Sequence, residues 1–330
     1  MSVAVKNSTD LAEELAARLR SGTGVPPVSL RSETHRQGAC ATTAIRRNEP
    51  LAKHTTLRVG GPADLYVEPA NEADLAAVLK FCGEQSLKFF ILGRGSNLLV
   101  RDGGFRGAVI CLASPEFSRI EIDGTRIRAG AGAKLKELAV AAKRGGLSGV
   151  EFLEGIPGSV GGALRMNAGA MGGATFDAVE SVRFMDFAGE IHERVVRDVP
   201  VEYRACPLFK TNVALGAVFK CAPAPREEIE KRMKAFSEKR WEAQPAAPSA
   251  GCIFKNDEKI PAGKLVDELG LKGAHVGGAM VSREHGNFIV NGGTATARDV
   301  LELIAILQNK AKTERGIDLR TEVEIIGEEI

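Results

Sequence analysis

Two glycine-rich stretches are the parts of this sequence best suited to chemistry. The first, Gly93-Arg94-Gly95-Ser96-Asn97-Leu98-Leu99, begins G-x-G. Its glycines would let backbone N–H groups approach an anion closely, and Ser96 and Asn97 add side-chain donors. It places Leu98 where a dinucleotide fingerprint needs a third glycine, and no G-x-x-x-x-G-K-[ST] string occurs. Neither a Rossmann turn nor a P-loop is therefore indicated, and a tight turn between strands is the plain alternative. The second stretch runs from Glu154 to Gly162 and on through Met166-Asn167-Ala168-Gly169-Ala170. Such glycine density costs about 0.5–1 kcal/mol per residue relative to Ala in regular structure, and close approach to a bound ligand is the usual reason for it. Two such loops could cradle the two ends of a long dinucleotide. Nothing comparable points to a metal. The six cysteines (Cys40, Cys82, Cys111, Cys206, Cys221, Cys252) show no C-x-x-C pairing and no zinc spacing, and read as small buried hydrophobes. His54, His192, His275 and His285 form no cluster in the sequence.

The composition bounds the partners. Hydrophobic residues are 44% and charged residues 26% of 330, the balance of a soluble globular protein of two or three domains. Lys+Arg is 44 against Asp+Glu 42, which argues against a nucleic-acid binder. No apolar run approaches the ~20 residues of a membrane span, and Met1 to Asp10 lacks a signal-peptide core. A cytoplasmic monomer is the expectation.

The elements that must position these loops alternate strand and helix, which reads as α/β or α+β. Leu11, Leu15 and Leu19 predict a helix over 10–20, followed over 21–47 by a flexible insertion, with the ordered core starting near Asn48. Strands are predicted over 64–68, 88–92, 98–101 and 107–112. A helix opens at Asn71, with Asp74 completing a near capping box. Asp123-Gly124 marks a hairpin over 119–131, and a helix over 134–144 closes at Gly145-Gly146. Residues 155–173 read as mostly loop. Strands are predicted over 181–187, 195–203 and 217–222, then a charged helix over 225–241 and the proline-rich 244–249. A helix over 262–269, a strand over 287–291, a helix opening at Thr296 and a terminal strand over 321–326 complete the chain.

Three strings occur in order: Thr55–Ala63 (TTLRVGGPA), Gly93–Leu99 and Gly155–Gly162 (GIPGSVGG). With Pro248–Asn256 (PSAGCIFKN) and Thr321-Glu322-Val323, the chain resembles the UDP-N-acetylenolpyruvoylglucosamine reductases over about residues 49–328. The first forty-eight residues are not well covered. The resemblance implies an α+β protein. Its FAD-binding part has two pieces, of the type found in vanillyl-alcohol-oxidase-like flavoproteins, and a C-terminal α+β domain binds substrate. The implied boundaries are 1–47 for the N-terminal helix and insertion, 48–113 with 318–330 for the first FAD subdomain, 114–223 for the second, and 224–317 for the substrate domain. The short interval between Arg204 and Cys252 matches the shorter of two family types.

The implied reaction is reduction of the enolpyruvyl group of UDP-N-acetylglucosamine enolpyruvate to UDP-N-acetylmuramate, with NADPH as co-substrate and non-covalent FAD. Hydride goes from flavin N5 to C3 and a proton to C2. Arg204 matches the arginine that neutralises the substrate carboxylate, which its planar fork suits. Without the motif it reads as a surface arginine ending a strand. The run Ala205–Lys210 is one residue longer than the family spacing. Cys252 stands where the family has a serine that protonates C2. An ordinary thiol, with a pKa of about 8.5, is mostly protonated at neutral pH and can donate. The plain alternative is an inert buried cysteine. Glu322 matches the glutamate that assists the enolate, for which a protonated carboxyl makes better chemical sense; otherwise it is a solvated strand end. Arg58, Gly93, Gly95, Ser96, Asn97 and Leu98 are assigned to the cofactor, as are Gly158, Ser159, Gly161, Gly162, Asn167 and Gly169. Tyr203, Lys239, Arg240, Gly251 and Asn256 are assigned to the substrate. Another FAD-linked oxidase of this fold, or a non-catalytic flavin-binding module, is the competing reading.

Overall fold

The computed structural model describes residues 7–23, 29–30 and 42–330. The chain divides into two units, each around its own apolar core. The first comprises Met1–Glu49, Asp64–Gly93 and Gly107–Ser237; the second comprises Pro50–Ala63, Arg94–Arg106 and Glu238–Ile330.

The first unit begins with a helix, Ser8–Thr23, whose first amides donate to the Asn7 side chain. Its apolar stripe is buried as the periodicity predicts: Leu11, Ala12, Leu15, Ala16 and Leu19 all enter the core. Each leucine so buried is worth about 1.5–3 kcal/mol. Arg18 grips Glu84 with both guanidinium nitrogens, and Gln85 Nε2 donates to Glu14 at 2.9 Å, so this helix is fastened to the helix Glu72–Glu84. Part of the insertion expected over 21–47 lies outside the described residues. Within that span and ahead of Asn48, Ala44–Pro50 is a strand, paired in parallel with Ser29–Leu30. These are the outer strands of a five-stranded sheet that continues with Pro62–Glu68, Phe105–Cys111 and Phe89–Leu92. Asn71 caps its helix as predicted, accepting from the amide of Asp74 at 2.9 Å. The Asp74 carboxylate is used otherwise, accepting from the buried hydroxyl of Thr43.

A second sheet is wholly antiparallel, in the order Ile191–Val195, Val179–Asp186, Asn212–Lys220, Arg126–Gly130, Ile120–Asp123. The Asp123-Gly124 hairpin forms as read, with Gly124 at φ +57. The strand expected over 195–203 lies instead at Ile191–Val195. The Asp186 carboxylate accepts from the amides of Ala188 and Glu190, and Gly189 takes φ +93, turning the chain back early. All five residues of that strand are exposed, so apolar alternation had nothing to register. Residues 155–173 are also less loop-like than expected, because Val160–Met166 is a helix. Its glycines fall in the first turn, while Val160, Ala163 and Leu164 bury its inner face.

In the second unit Ser249–Cys252, Phe288–Asn291, Ala279–Val281 and His275–Val276 form an antiparallel sheet. Only the second of these strands is legible in the sequence. The helix Ala297–Arg315 has the predicted Thr296/Asp299 capping box and ends at Gly316 in the left-handed conformation. Leu98–Val100 pairs in parallel with Glu324–Ile326, bringing the chain terminus to the first glycine loop.

Candidate active site

In the first unit the tip carrying Arg204 is a tight turn. Glu202 and Ala205 exchange backbone hydrogen bonds of 2.9 and 3.3 Å, leaving Tyr203-Arg204 as the two-residue loop. Arg204 sits at φ +55, where a residue with a Cβ pays a steric cost and persists only if its surroundings insist. They do. Asn167, itself left-handed at the end of the helix Val160–Met166, donates from Nδ2 to the Glu202 carbonyl (3.2 Å). It accepts at Oδ1 from the Phe176 amide (3.3 Å). The guanidinium lies 5.0 Å from the Tyr203 ring centre, and Nη2 donates to the Gly169 carbonyl at 3.3 Å. A Cβ on Gly169 would come within 2.7 Å of the Gly173 carbonyl and 3.0 Å of Arg204 Nη1. Asn167, Gly169, Met171, Asp177, Tyr203 and Arg204 border a cavity of about 330 Å³. Beyond the turn, the Cys206 amide donates to the Arg165 carbonyl and Pro207–Lys210 forms a 3-10 turn.

The glycines of the same unit converge. Gly93 lies against the second loop: a Cβ there would be 2.9 Å from Ser159 Oγ and 4.0 Å from Gly162 Cα. Ser159 caps the helix Val160–Met166 by accepting from the Gly162 amide (3.4 Å), and the Gly158 carbonyl accepts from Leu135 N–H (3.1 Å). Gly161 is needed for packing, since its Cβ would press within 3.0 Å of the Ala131 Cβ. Gly162 instead leaves side-chain-free backbone where an added Cβ would only touch Ser159 Oγ at 3.6 Å, whereas one on Gly158 would crowd Leu135 Cδ1 at 3.3 Å. That bare surface beside Gly93 fits a flat ring or a pyrophosphate approaching the main chain, and so fits FAD.

In the second unit three distant segments are tied together. The Gly95 Cα is so close to the main chain of His54 that a Cβ would be 2.3 Å from its carbonyl oxygen. Asn97 Nδ2 donates to the Glu322 carbonyl (3.0 Å), and the Glu324 amide returns to the Asn97 carbonyl (3.0 Å). Leu98 is buried, so only its backbone faces the loop. Cys252 ends a strand with a bulge: Ser249 pairs with Val290 but Cys252 with Phe288, and Gly251 takes φ +74. Such a bulge re-aims the following side chain. Gly251 packs near the Ser96 carbonyl, a Cβ there reaching 3.6 Å. One residue on, the Ile253 carbonyl accepts from the amides of Glu322 (2.8 Å) and Val323 (3.3 Å). Cys252 and Glu322 thus hang from adjoining backbone, and the Cys252 thiol is half-buried. Other thiols are more withdrawn: burial pushes Cys82 up to about 12 and Cys221 up to about 11, and raises Cys206.

The remaining expected residues are dispersed. Arg58 is exposed at φ +59. Asn256 accepts from the Ala262 amide at 3.1 Å, as a cap for the helix Ala262–Glu268. Lys239 is exposed and Arg240 half-buried near the end of the helix Arg226–Ala243. Two buried asparagines escaped the sequence reading. Asn291 Nδ2 donates to the Leu57 carbonyl (3.0 Å), holding the Arg58 turn, and Asn287 pairs with Phe254. Their signal was present: amides bracketing the apolar run Phe288–Val290, where solvated residues would be expected.

A family model described as the C-terminal domain of UDP-N-acetylenolpyruvoylglucosamine reductase matches residues 244–326, and one described as an FAD-binding domain matches residues 63–194. The UDP-N-acetylenolpyruvoylglucosamine reductase of Geotalea uraniireducens is 44% identical over 285 residues, covering 86% of this chain and 94% of the relative. That of Geobacter metallireducens is 42% identical over 318 residues, 96% of this chain and 99% of its own, so the likeness takes in most of the first 48 residues. The crystal structure of the Thermus caldophilus UDP-N-acetylenolpyruvylglucosamine reductase matches with a TM-score of 0.75 at 41% identity, covering 83% of this chain and 96% of that one.

Proposed function

This chain belongs to the UDP-N-acetylenolpyruvoylglucosamine reductase family, and on that footing we propose how its own residues divide the reaction. The enzyme is an FAD-dependent oxidoreductase that uses NADPH to reduce the enolpyruvyl group of UDP-N-acetylglucosamine enolpyruvate, giving UDP-N-acetylmuramate for peptidoglycan synthesis. Nothing in the comparisons favours an alcohol or lactone oxidase, or a flavin-binding module without catalysis.

When bound, FAD would supply the hydride chemistry that links NADPH to the enolpyruvyl carbon C3. The surfaces that hold it are Gly93, Gly95, Ser96, Asn97 and Leu98, with Gly158, Ser159, Gly161 and Gly162; Arg58 and the backbone of Asn167 and Gly169 complete the set, all without a covalent bond. Arg204 takes the substrate carboxylate in its guanidinium fork and offsets the negative charge that gathers there as C2 becomes enolate-like. Its stacking on Tyr203 and its bond to the Gly169 carbonyl keep the fork oriented before substrate arrives. Cys252 gives its thiol proton to C2. Glu322, as a carboxylic acid, hydrogen-bonds the developing enolate and returns a proton to the thiolate. Tyr203, Gly251, Asn256, Lys239 and Arg240 contact the UDP-sugar.

The observation that supports this division best is the double tie of the Glu322 backbone, to Asn97 through its carbonyl and to Ile253 through its amide, which holds that residue's main chain beside the strand ending at Cys252. In domain terms we propose 48–113 with 318–330 and 114–223 as the two FAD-holding parts and 224–317 as the substrate domain. Residues 1–47 are the N-terminal helix followed by an insertion. Among the described residues no helix is long and apolar enough to cross a membrane, and we propose a cytoplasmic monomer that binds no nucleic acid.

The test is the anaerobic visible spectrum of the FAD-loaded protein. NADPH should bleach the flavin band and the enolpyruvyl sugar nucleotide restore it. In C252A bleaching should persist while restoration slows by about 10²–10⁴-fold, the usual worth of a positioned general acid. Restoration at the native rate removes Cys252 from the mechanism; bleaching without restoration in the native protein overturns the substrate.

A further inference from the structure

We infer that Asn287 is a positioning residue for proton delivery, gripping two successive peptide units, Cys252–Ile253, which carries Cys252, and Ile253–Phe254, which holds the backbone of Glu322. This rests on the roles given to those two residues above. Asn287 is 3% exposed, and its amide is fully engaged with one partner. Its Oδ1 accepts from the Phe254 amide at 2.9 Å and its Nδ2 donates to the Phe254 carbonyl at 2.8 Å. Its own carbonyl accepts from the Ile253 amide, also at 2.8 Å. Cys252 is the last residue of its strand to pair with the neighbouring strand, opposite Phe288. Asn287 extends that ladder with a rung made by a side chain.

The peptide joining Ile253 to Phe254 is planar, so fixing one end of it fixes the other. On its N–H side it meets Asn287 Oδ1; on its C=O side it receives the amides of Glu322 and Val323. Asn287 therefore sets the plane on which the Glu322 backbone is held, and its own carbonyl, accepting from the Ile253 amide, holds the preceding peptide that carries Cys252. The asparagine is held in turn: its backbone N–H donates to His285 Nδ1 at 3.1 Å, and the His285 ring packs edge-on against Phe288, centres 4.9 Å apart. The amides of Glu284 and His285 both donate to Ser282 Oγ, so the loop leading into Asn287 is closed on itself. A position needed only for packing would be served by an apolar side chain, since a buried amide repays its desolvation only when all its bonds are made.

The experiment compares FAD-loaded N287A with T296A, which loses a helix cap in the same unit. Two readouts are taken: the two half-reactions, and hydrogen exchange at single amides. In N287A the rate of flavin reoxidation by saturating enolpyruvyl sugar nucleotide should fall at least tenfold, with the KM for that substrate within about twofold of native. The amides of Phe254 and Glu322 should lose at least tenfold in protection, while those of Ala279–Val281 in the same sheet keep theirs. T296A should show neither change. N287A indistinguishable from T296A in both readouts overturns the inference. So does retained protection at Phe254 and Glu322. If C252A reoxidises at the native rate, the donor role falls, yet the exchange pattern in N287A still decides whether Asn287 orders that peptide. Should N287A not accumulate as folded protein, N287S, which keeps a small hydroxyl at the site, is read against the same criteria.

Discussion

At the scale of single residues, the proposed division of the reaction turns on the Cys252 thiol. A thiol gives up its proton far more readily than a hydroxyl, and in the proposed reaction the resulting thiolate is reprotonated before the next turnover, the second task proposed for Glu322. The same choice carries a liability, because half-exposed thiols alkylate and oxidise. The fold separates Cys252 from several of its counterparts. Cys82, pushed up to about 12 by burial, would hold only on the order of one thiolate in 10⁴ at pH 8. Iodoacetamide at pH 8 is therefore expected to label Cys252 ahead of Cys82, Cys206 and Cys221, with loss of flavin reoxidation following that label and slowed by substrate. Peptide mass spectrometry against activity checks this, and labelling of Cys82 before Cys252 would contradict it.

At the scale of elements, the residues proposed for the chemistry stand at the ends and irregularities of regular structure. Arg204 stands at the tip of a two-residue turn, Cys252 after a bulge opened by Gly251, and Glu322 just before a short parallel strand. Regular elements supply the rigid frame, and the departures aim the side chains. The N-terminal helix belongs to that frame: Leu15 is fully buried among residues of the first core. Replacing Leu15 with Ala should cost about 2–5 kcal/mol of stability, the range for emptying a leucine site in a packed core. Urea unfolding followed by circular dichroism would register it as a lowered midpoint, and a change under 0.5 kcal/mol would mean the helix is not part of the core.

At the scale of the whole molecule, two cores mean that stability and chemistry need not respond to the same conditions. The first core encloses Cys82 and Cys221, both held protonated well above the ordinary thiol value. In the unfolded chain these thiols ionise from about pH 8.5–9 upward, whereas in the folded chain they stay neutral until about 12 and 11. The folded state binds more protons across that window, so stability is fully present below pH 8.5 and declines as pH rises through it, by up to about 1.4 kcal/mol per pH unit for each thiol. The urea midpoint should fall steadily between pH 8.5 and 10.5, and C82A should flatten the slope. An unchanged slope would assign the alkaline sensitivity to other groups.

Much of this was legible without coordinates, because local rules act over a few residues. The caps at Asn71 and Thr296, the Asp123-Gly124 hairpin, the amphipathic stripe of Leu11, Leu15 and Leu19, and the ordered glycine strings each depend on neighbours within about one helical turn. The glycine strings and the PSAGCIFKN run also pointed to the family. Tertiary structure alone decided the rest. The strand at Ile191–Val195 was hidden because every side chain on it is exposed, so that sequence alternation had no core to report. The helix at Val160–Met166 was hidden by glycines that its first turn tolerates. Nothing in the sequence joins Asn97 to Glu322, or Asn287 to Phe254, since hydrogen bonds between residues 225 and 33 positions apart exist only after the backbone has brought them together.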